Sequence, residues 1–191
     1  MHLRNLGLMA LLAAPSILAD PMVFSVSLNG PNESPPVPTP GTGSGIVIFD
    51  TTAHTLFIDV TFSDLIGTTT ASHIHCCTMV AGTGTASVAT QLPSFLLFPL
   101  GVTGGTYTHT FDMTLASSYN PTFITGNGGT PASAEAALLA KALDGKAYFN
   151  IHSTFRPGGE IRGFLTPIPE PASLALLGAC LTGLAFFRRK T

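Results

Sequence analysis

The sequence predicts an all-β domain, a Greek-key-like β-sandwich or barrel of about eight strands with one short helix, between two apolar ends that lie outside it. Three observations carry this expectation. Short runs rich in Val, Ile, Phe and Thr alternate apolar and polar residues with period two, as a half-buried strand requires. Gly, Pro, Asn and Thr clusters separate these runs. Only one stretch in the middle of the chain has the composition of a helix.

The elements follow in order. In MHLRNLGLMALLAAPSILAD, Arg4 supplies a positive start, Leu6 to Ala14 an apolar run, and Pro15 a break. The run is shorter than the roughly 20 residues that span a bilayer. It reads as a signal helix over residues 1–19, cleaved after the small Ala19. A domain over residues 20–167 follows. Phe24, Val26 and Leu28 alternate with Ser25, Ser27 and Asn29; a proline-rich loop from Gly30 to Gly45 cannot enter a ladder. Ile46 to Phe49 opens a second strand, and Leu56, Ile58, Val60 and Phe62 mark a third. His73-Ile74-His75 and Val88 to Leu92 read as short strands. Tyr107 to Leu115 gives the cleanest alternation, with Thr106, Thr108, Thr110, Asp112 and Thr114 on one face. Ser133 is placed to cap a helix from Ala134 to Leu143 that Gly145 ends. Lys146 to His152 and Glu160 to Thr166 complete the strands.

The far end is a second address. Pro169-Glu170-Pro171 precedes sixteen uncharged residues, Ala172 to Phe187, and Arg188, Arg189 and Lys190 follow. An apolar helix closed by a basic cluster halts with its charges on the cytoplasmic side. At 1.5 Å per residue it rises only about 24 Å, so it is a short transmembrane helix whose flanks snorkel. Tripeptide, span and basic end, in that order over residues 168–191, resemble the PEP-CTERM sorting signal of Gram-negative bacteria. The resemblance implies an exosortase-type processing enzyme as partner. It also implies an intermediate anchored in the inner membrane, then a cell-surface or extracellular destination.

Composition narrows the function. Between residues 20 and 168 four Lys and Arg stand against nine Asp and Glu, a net charge of −5. Such a domain has no basic footprint for nucleic acid. Cys180 lies in the tail; the adjacent Cys76 and Cys77 leave a vicinal bridge, an intermolecular bond or two buried thiols open. Ser72 beside His73 points to the opposite strand face, so no nucleophile–base pair is legible there. Gly101 to Gly105 precedes a strand rather than a helix and is no phosphate loop.

Three tripeptides share one pattern: His73-Ile74-His75, Asn150-Ile151-His152 and Glu160-Ile161-Arg162. Period two turns each isoleucine to one face and its polar neighbours to the other. If the three lie side by side, Ile74, Ile151 and Ile161 fill one patch of core. His73, His75, Asn150, His152, Glu160 and Arg162 then share the opposite face. That face reads in three ways. It is a solvated surface, or a structural polar network in which Glu160 or Asn150 accepts from imidazole N–H groups and Arg162 pairs with a carboxylate or caps loop carbonyls. Or it is a metal site, zinc or copper, with His73, His75 and His152 as ligands. A guanidinium beside a cation would require Glu160 to neutralise it. His54, opening a strand, is expected at the surface, and His109 as a hydrogen-bonded core residue.

The stretch from Phe24 to Leu165 resembles the CHRD domain, a module named from chordin and found in bacterial surface proteins. The resemblance rests on Leu28-Asn29-Gly30 with Glu33 and Pro35-Pro36-Val37, on Gly43 to Phe49 and on Leu56 to Leu65. It continues in His73-Ile74-His75, in Tyr148 to Ser153 and in Pro157-Gly158-Gly159-Glu160-Ile161-Arg162-Gly163. It implies an all-β fold, an extracellular setting and no established catalytic activity. The expectation is therefore a non-enzymatic surface or matrix module that binds a protein, a polysaccharide or its own kind.

Overall fold

The computed structural model describes residues 21–169. The expected signal helix with Ala19 lies outside them, as do the expected transmembrane helix, Glu170, Pro171, Arg188, Arg189 and Lys190. Among the described residues no helix is long and apolar enough to cross a membrane.

Period-two alternation becomes strand wherever it was strong. β1 (Met22–Asn29), β2 (Thr42–Asp50) and β3 (Thr55–Ser63) form an antiparallel meander. β4 (Thr69–Cys76) and β5 (Gly105–Asp112) flank a long connection. Two helices, α1 (Pro121–Gly126) and α2 (Pro131–Leu143), precede β6 (Ala147–Ser153), β7 (Ile161–Phe164) and the short β8 (Thr166–Pro167). All eight strands belong to one antiparallel sheet in the order β4-β6-β7-β1-β2-β3-β5, with β8 on β1, curled into a half-barrel. The all-β expectation holds.

The concave face carries the core. Phe24, Val26 and Leu28 of β1 meet Val47 and Phe49 of β2, Leu56, Ile58, Val60 and Phe62 of β3, and Tyr107 and Phe111 of β5. The long connection after β4 sends Phe95 into the trough, its ring centroid 5.7 Å from Phe149, 5.8 Å from Tyr107 and 5.2 Å from Phe111. One apolar side chain thus ties both wings of the sheet together.

Five local expectations are corrected. The loop expected from Gly30 to Gly45 ends at Gly41, since Thr42 to Gly45 already pair with β1 and β3. Thr130, not Ser133, caps α2; Ser133 occupies the third helical position and closes a reciprocal capping box behind Pro131. α1 was not expected; Asn120 caps it through the N–H of Thr122, and Pro121 starts it. Val88 to Leu92 makes only isolated bridges, Val88 to His75 and Thr90 to Tyr119, before Pro93 ends any pairing. β5 stops at Asp112, whose Oδ1 accepts the N–H and hydroxyl of Thr114 and turns the chain.

Candidate metal centre

The three tripeptides do come together. β6 is the central strand, with β4 on one side and β7 on the other, so His73, Asn150 and Arg162 form one row across the sheet. Tyr148 separates His75 from Phe164 in the next row, and His152 lies diagonal to His73. Ile74, Ile151 and Ile161 turn to the core, each with 0% exposure, as strand alternation demanded. The polar face is not solvated: His73 is 5% exposed, His75 8% and His152 9%. Two connections roof it: the long one after β4 supplies the carbonyls of Ala86 and Pro93, and the β6–β7 loop that of Pro157.

Those carbonyls determine which nitrogen of each ring carries hydrogen. His73 Nε2 lies 2.7 Å from Pro93 O, His75 Nδ1 2.9 Å from Ala86 O, and His152 Nδ1 2.9 Å from Pro157 O. A carbonyl only accepts, so each of these nitrogens donates its N–H. In a neutral imidazole the other nitrogen then holds a bare lone pair. Burial keeps the rings neutral, pushing His73 and His75 down to about 4 and lowering His152 as well.

The three bare nitrogens face one another. His152 Nε2 is 3.3 Å from His73 Nδ1 and 3.3 Å from His75 Nε2, and all three lie within 4.8 Å of each other. Two bare lone pairs make no hydrogen bond with each other, and a proton or a cation between them would relieve these two contacts. A tetrahedral ion with metal–nitrogen bonds of 2.0–2.1 Å sets neighbouring ligands about 3.3 Å apart. In metal-bound histidines, too, the N–H far from the ion is held by a carboxylate, a backbone carbonyl or a water.

The remaining polar residues are distributed differently from the sequence expectation. Glu160 does not join the imidazoles. The last ladder pair is Ile151 with Ile161, so Glu160 stands outside the ladder and period two does not govern it. Its carboxylate accepts from Ser153 Oγ, from Thr39 Oγ1 (2.6 Å) and from the N–H groups of Ile66 (2.6 Å) and Gly67 (3.2 Å). Burial alone would raise its pKa, yet these four donors hold it below the ordinary carboxylate value.

The partner of Arg162 is Glu33, 3.7 Å away, both side chains almost fully buried. Arg162 also donates to Asn32 O and Gly84 O and lies 4.6 Å over the Tyr148 ring, which stacks on His75 at 4.9 Å. Burial raises Glu33 to about 7 against the pull of Arg162. Glu33 Oε1 and Asn150 Oδ1 are the buried side-chain oxygens without a hydrogen-bond partner among the described residues. Both crowd Gly159, where an added Cβ would stand 2.6 Å from Asn150 Oδ1 and 2.7 Å from Glu33 Oε1. Gly159, at φ 128, is the residue that permits this approach. Sequence reasoning noted Glu33 only within a family motif; the turn after Asn29 that delivers it offered no chemical signal.

The other candidates stay apart. His54 is about half exposed and pairs with Glu135 at 2.8 Å, linking the β2–β3 turn to α2. His109 lies between the rings of Tyr107 and Phe111. Cys76 and Cys77 are disulfide-bonded to one another across a cis peptide.

Fold and site together define a curled antiparallel β-domain in which loops close over a cluster of buried imidazoles. A family model for the CHRD domain matches residues 24–165, and a model for the PEP-CTERM protein-sorting motif matches residues 167–190. The chain belongs to the CHRD domain family and carries a PEP-CTERM sorting motif. The motif implies export, a membrane-anchored intermediate and processing by an exosortase-type enzyme. No curated protein and no solved structure matches the chain.

Proposed function

We propose that this exported domain binds one transition-metal ion, zinc or copper, through His73 Nδ1, His75 Nε2 and His152 Nε2. One observation carries the reading: three carbonyls take the outer N–H groups, leaving three nitrogens without hydrogen within 4.8 Å of one another. Borderline imidazole donors suit both ions. Arg162 does not disqualify the site, because Glu33 opposes its charge where Glu160 had been expected to. Rings at least nine-tenths buried favour an ion that is retained over one that is turned over, so the domain serves as a non-enzymatic binding module. Its final place is the cell surface or extracellular matrix, where a protein or polysaccharide is the expected partner.

Metal analysis of the full chain purified in detergent tests this. One equivalent of zinc or copper is expected per chain. His73→Ala and His152→Ala should each abolish micromolar binding while leaving the circular dichroism of the sheet unchanged. A wild-type chain that takes up neither ion at micromolar concentration overturns the reading. In the wild type, free ion at 100 times Kd should add about 2.7 kcal/mol of stability by mass action.

A further inference from the structure

The two outer edges of the sheet are finished in opposite ways. β4 is covered along its length. Cys76 N donates to Ser87 O (3.0 Å), Ala89 N to Ile74 O (3.0 Å), Ile74 N to Thr90 Oγ1 (3.0 Å) and Phe95 N to Ser72 O (3.1 Å). A register shift between Thr69 and Ala71 breaks its start as well.

β5 has none of these devices. It pairs with β3 from Phe62–Gly105 to Thr55–Asp112 without a shift. In an antiparallel ladder alternate residues turn N–H and C=O away from the partner. Between Thr106 and Phe111 those outward groups meet no protein partner among the described residues. The strand GTYTHTFD holds no proline and no Lys, Arg or Glu, and its one acid, Asp112, is at its end. Proline, bulges and charge are the usual protection of an open edge.

Exposed apolar side chains lie beside this edge. Tyr107 Oη donates to Leu96 O at 3.0 Å, and the Phe98 ring packs 5.3 Å from that of Tyr107, which holds the 95–100 loop against β5. Leu96 is 52% exposed, Leu97 81% and Leu100 54%. Unpaired backbone next to uncovered leucines is the composition of an association surface.

We propose that β5 pairs antiparallel with β5 of a second copy of this chain about a two-fold axis, joining two half-barrels into one continuous sheet. The strand is complementary to itself. A continuous sheet requires opposed residues to share a face, so the axis passes by a residue; the two registers that pair most of the strand centre on Thr108, setting Thr106 against Thr110, or on His109, setting Thr108 against Thr110. Either register pairs threonines across the junction. Either also places Asp112 opposite Gly104 or Thr106, whereas parallel addition would bring two Asp112 carboxylates together.

The test uses the full chain in detergent with Cys180→Ser, Cys76 and Cys77 being bonded to each other. Light scattering corrected for detergent should report a dimer. Thr108→Cys or His109→Cys, whichever lies on the axis, should cross-link it on mild oxidation. Leu97→Asp, at an exposed position that does not threaten the fold, should raise the dimer Kd by about tenfold or more. A chain that stays monomeric to its solubility limit overturns the proposal. So does a dimer that neither cysteine cross-links, or one that disappears only when residues 172–190 are deleted.

Discussion

β3 and β6 are strands of one sheet, and they use their two faces differently. In β3, Leu56, Ile58, Val60 and Phe62 are buried while Thr61 and Ser63 reach solvent. In β6 all seven residues are buried. Phe149 and Ile151 enter the core, whereas Tyr148, Asn150 and His152 meet a roof of loops. A face turned to water needs no particular partner. A roofed polar face needs one for every donor and acceptor, because an unmet buried group costs about 1–3 kcal/mol. The roof over β6 consists largely of carbonyls and therefore takes donors: three imidazole N–H groups and the Arg162 guanidinium. The acceptor ends of the same imidazoles, left over, form the candidate metal centre.

The contrast is broken most severely on the core face of β6. Ile151→Asp puts a charge where exposure is 0% and should cost more than about 4 kcal/mol, leaving the chain unfolded by near-ultraviolet circular dichroism. A soluble, cooperatively melting variant would mean that the two faces of β6 have been assigned the wrong way round. A smaller effect is expected at Glu160, which closes the β6–β7 hairpin onto the neighbouring loops. Its pKa is lowered in the folded state, so its contribution is present above the ordinary value of 4.5 and is lost as pH falls through the folded value. Glu160→Gln should cost about 2–4 kcal/mol at neutral pH, since one acceptor becomes a donor facing donors. The gap from wild type should close in acid, and chemical denaturation at two pH values checks it. A gap independent of pH would show that the charge of Glu160 does not matter. Least affected is the solvated face of β3. Thr61→Val removes a hydroxyl 3.1 Å from Thr106 Oγ1 and should change stability by no more than about 0.5 kcal/mol. A larger loss would show that this face too is specified by its partners.

Much of the fold could be read before the structure. Alternation at Phe24 to Leu28, Leu56 to Phe62 and Tyr107 to Phe111 named the core residues of three strands, because period two is a property of a few consecutive residues. It also turned Ile74, Ile151 and Ile161 inward and put His73, His75 and His152 on one face. The same rule failed at Glu160, which follows Gly159 at φ 128 and precedes the ladder. It failed again at Val88 to Leu92, where an apolar run serves as an edge cover for β4 rather than as a strand. Nothing local could have found Glu33, since its tie to Arg162 joins opposite ends of the domain.

By itself the sequence determined the all-β class, the face of each alternating side chain, the sorting address and the three histidines worth testing. These are consequences of spacing along a strand and of composition at the ends. The tertiary structure alone decided that the histidine face is roofed, which nitrogen of each ring is bare, and that Glu33 rather than Glu160 answers Arg162. Those outcomes depend on contacts between loops far apart in the chain. A carbonyl at Pro93, Ala86 or Pro157 looks like any other in the sequence until folding brings it to an imidazole.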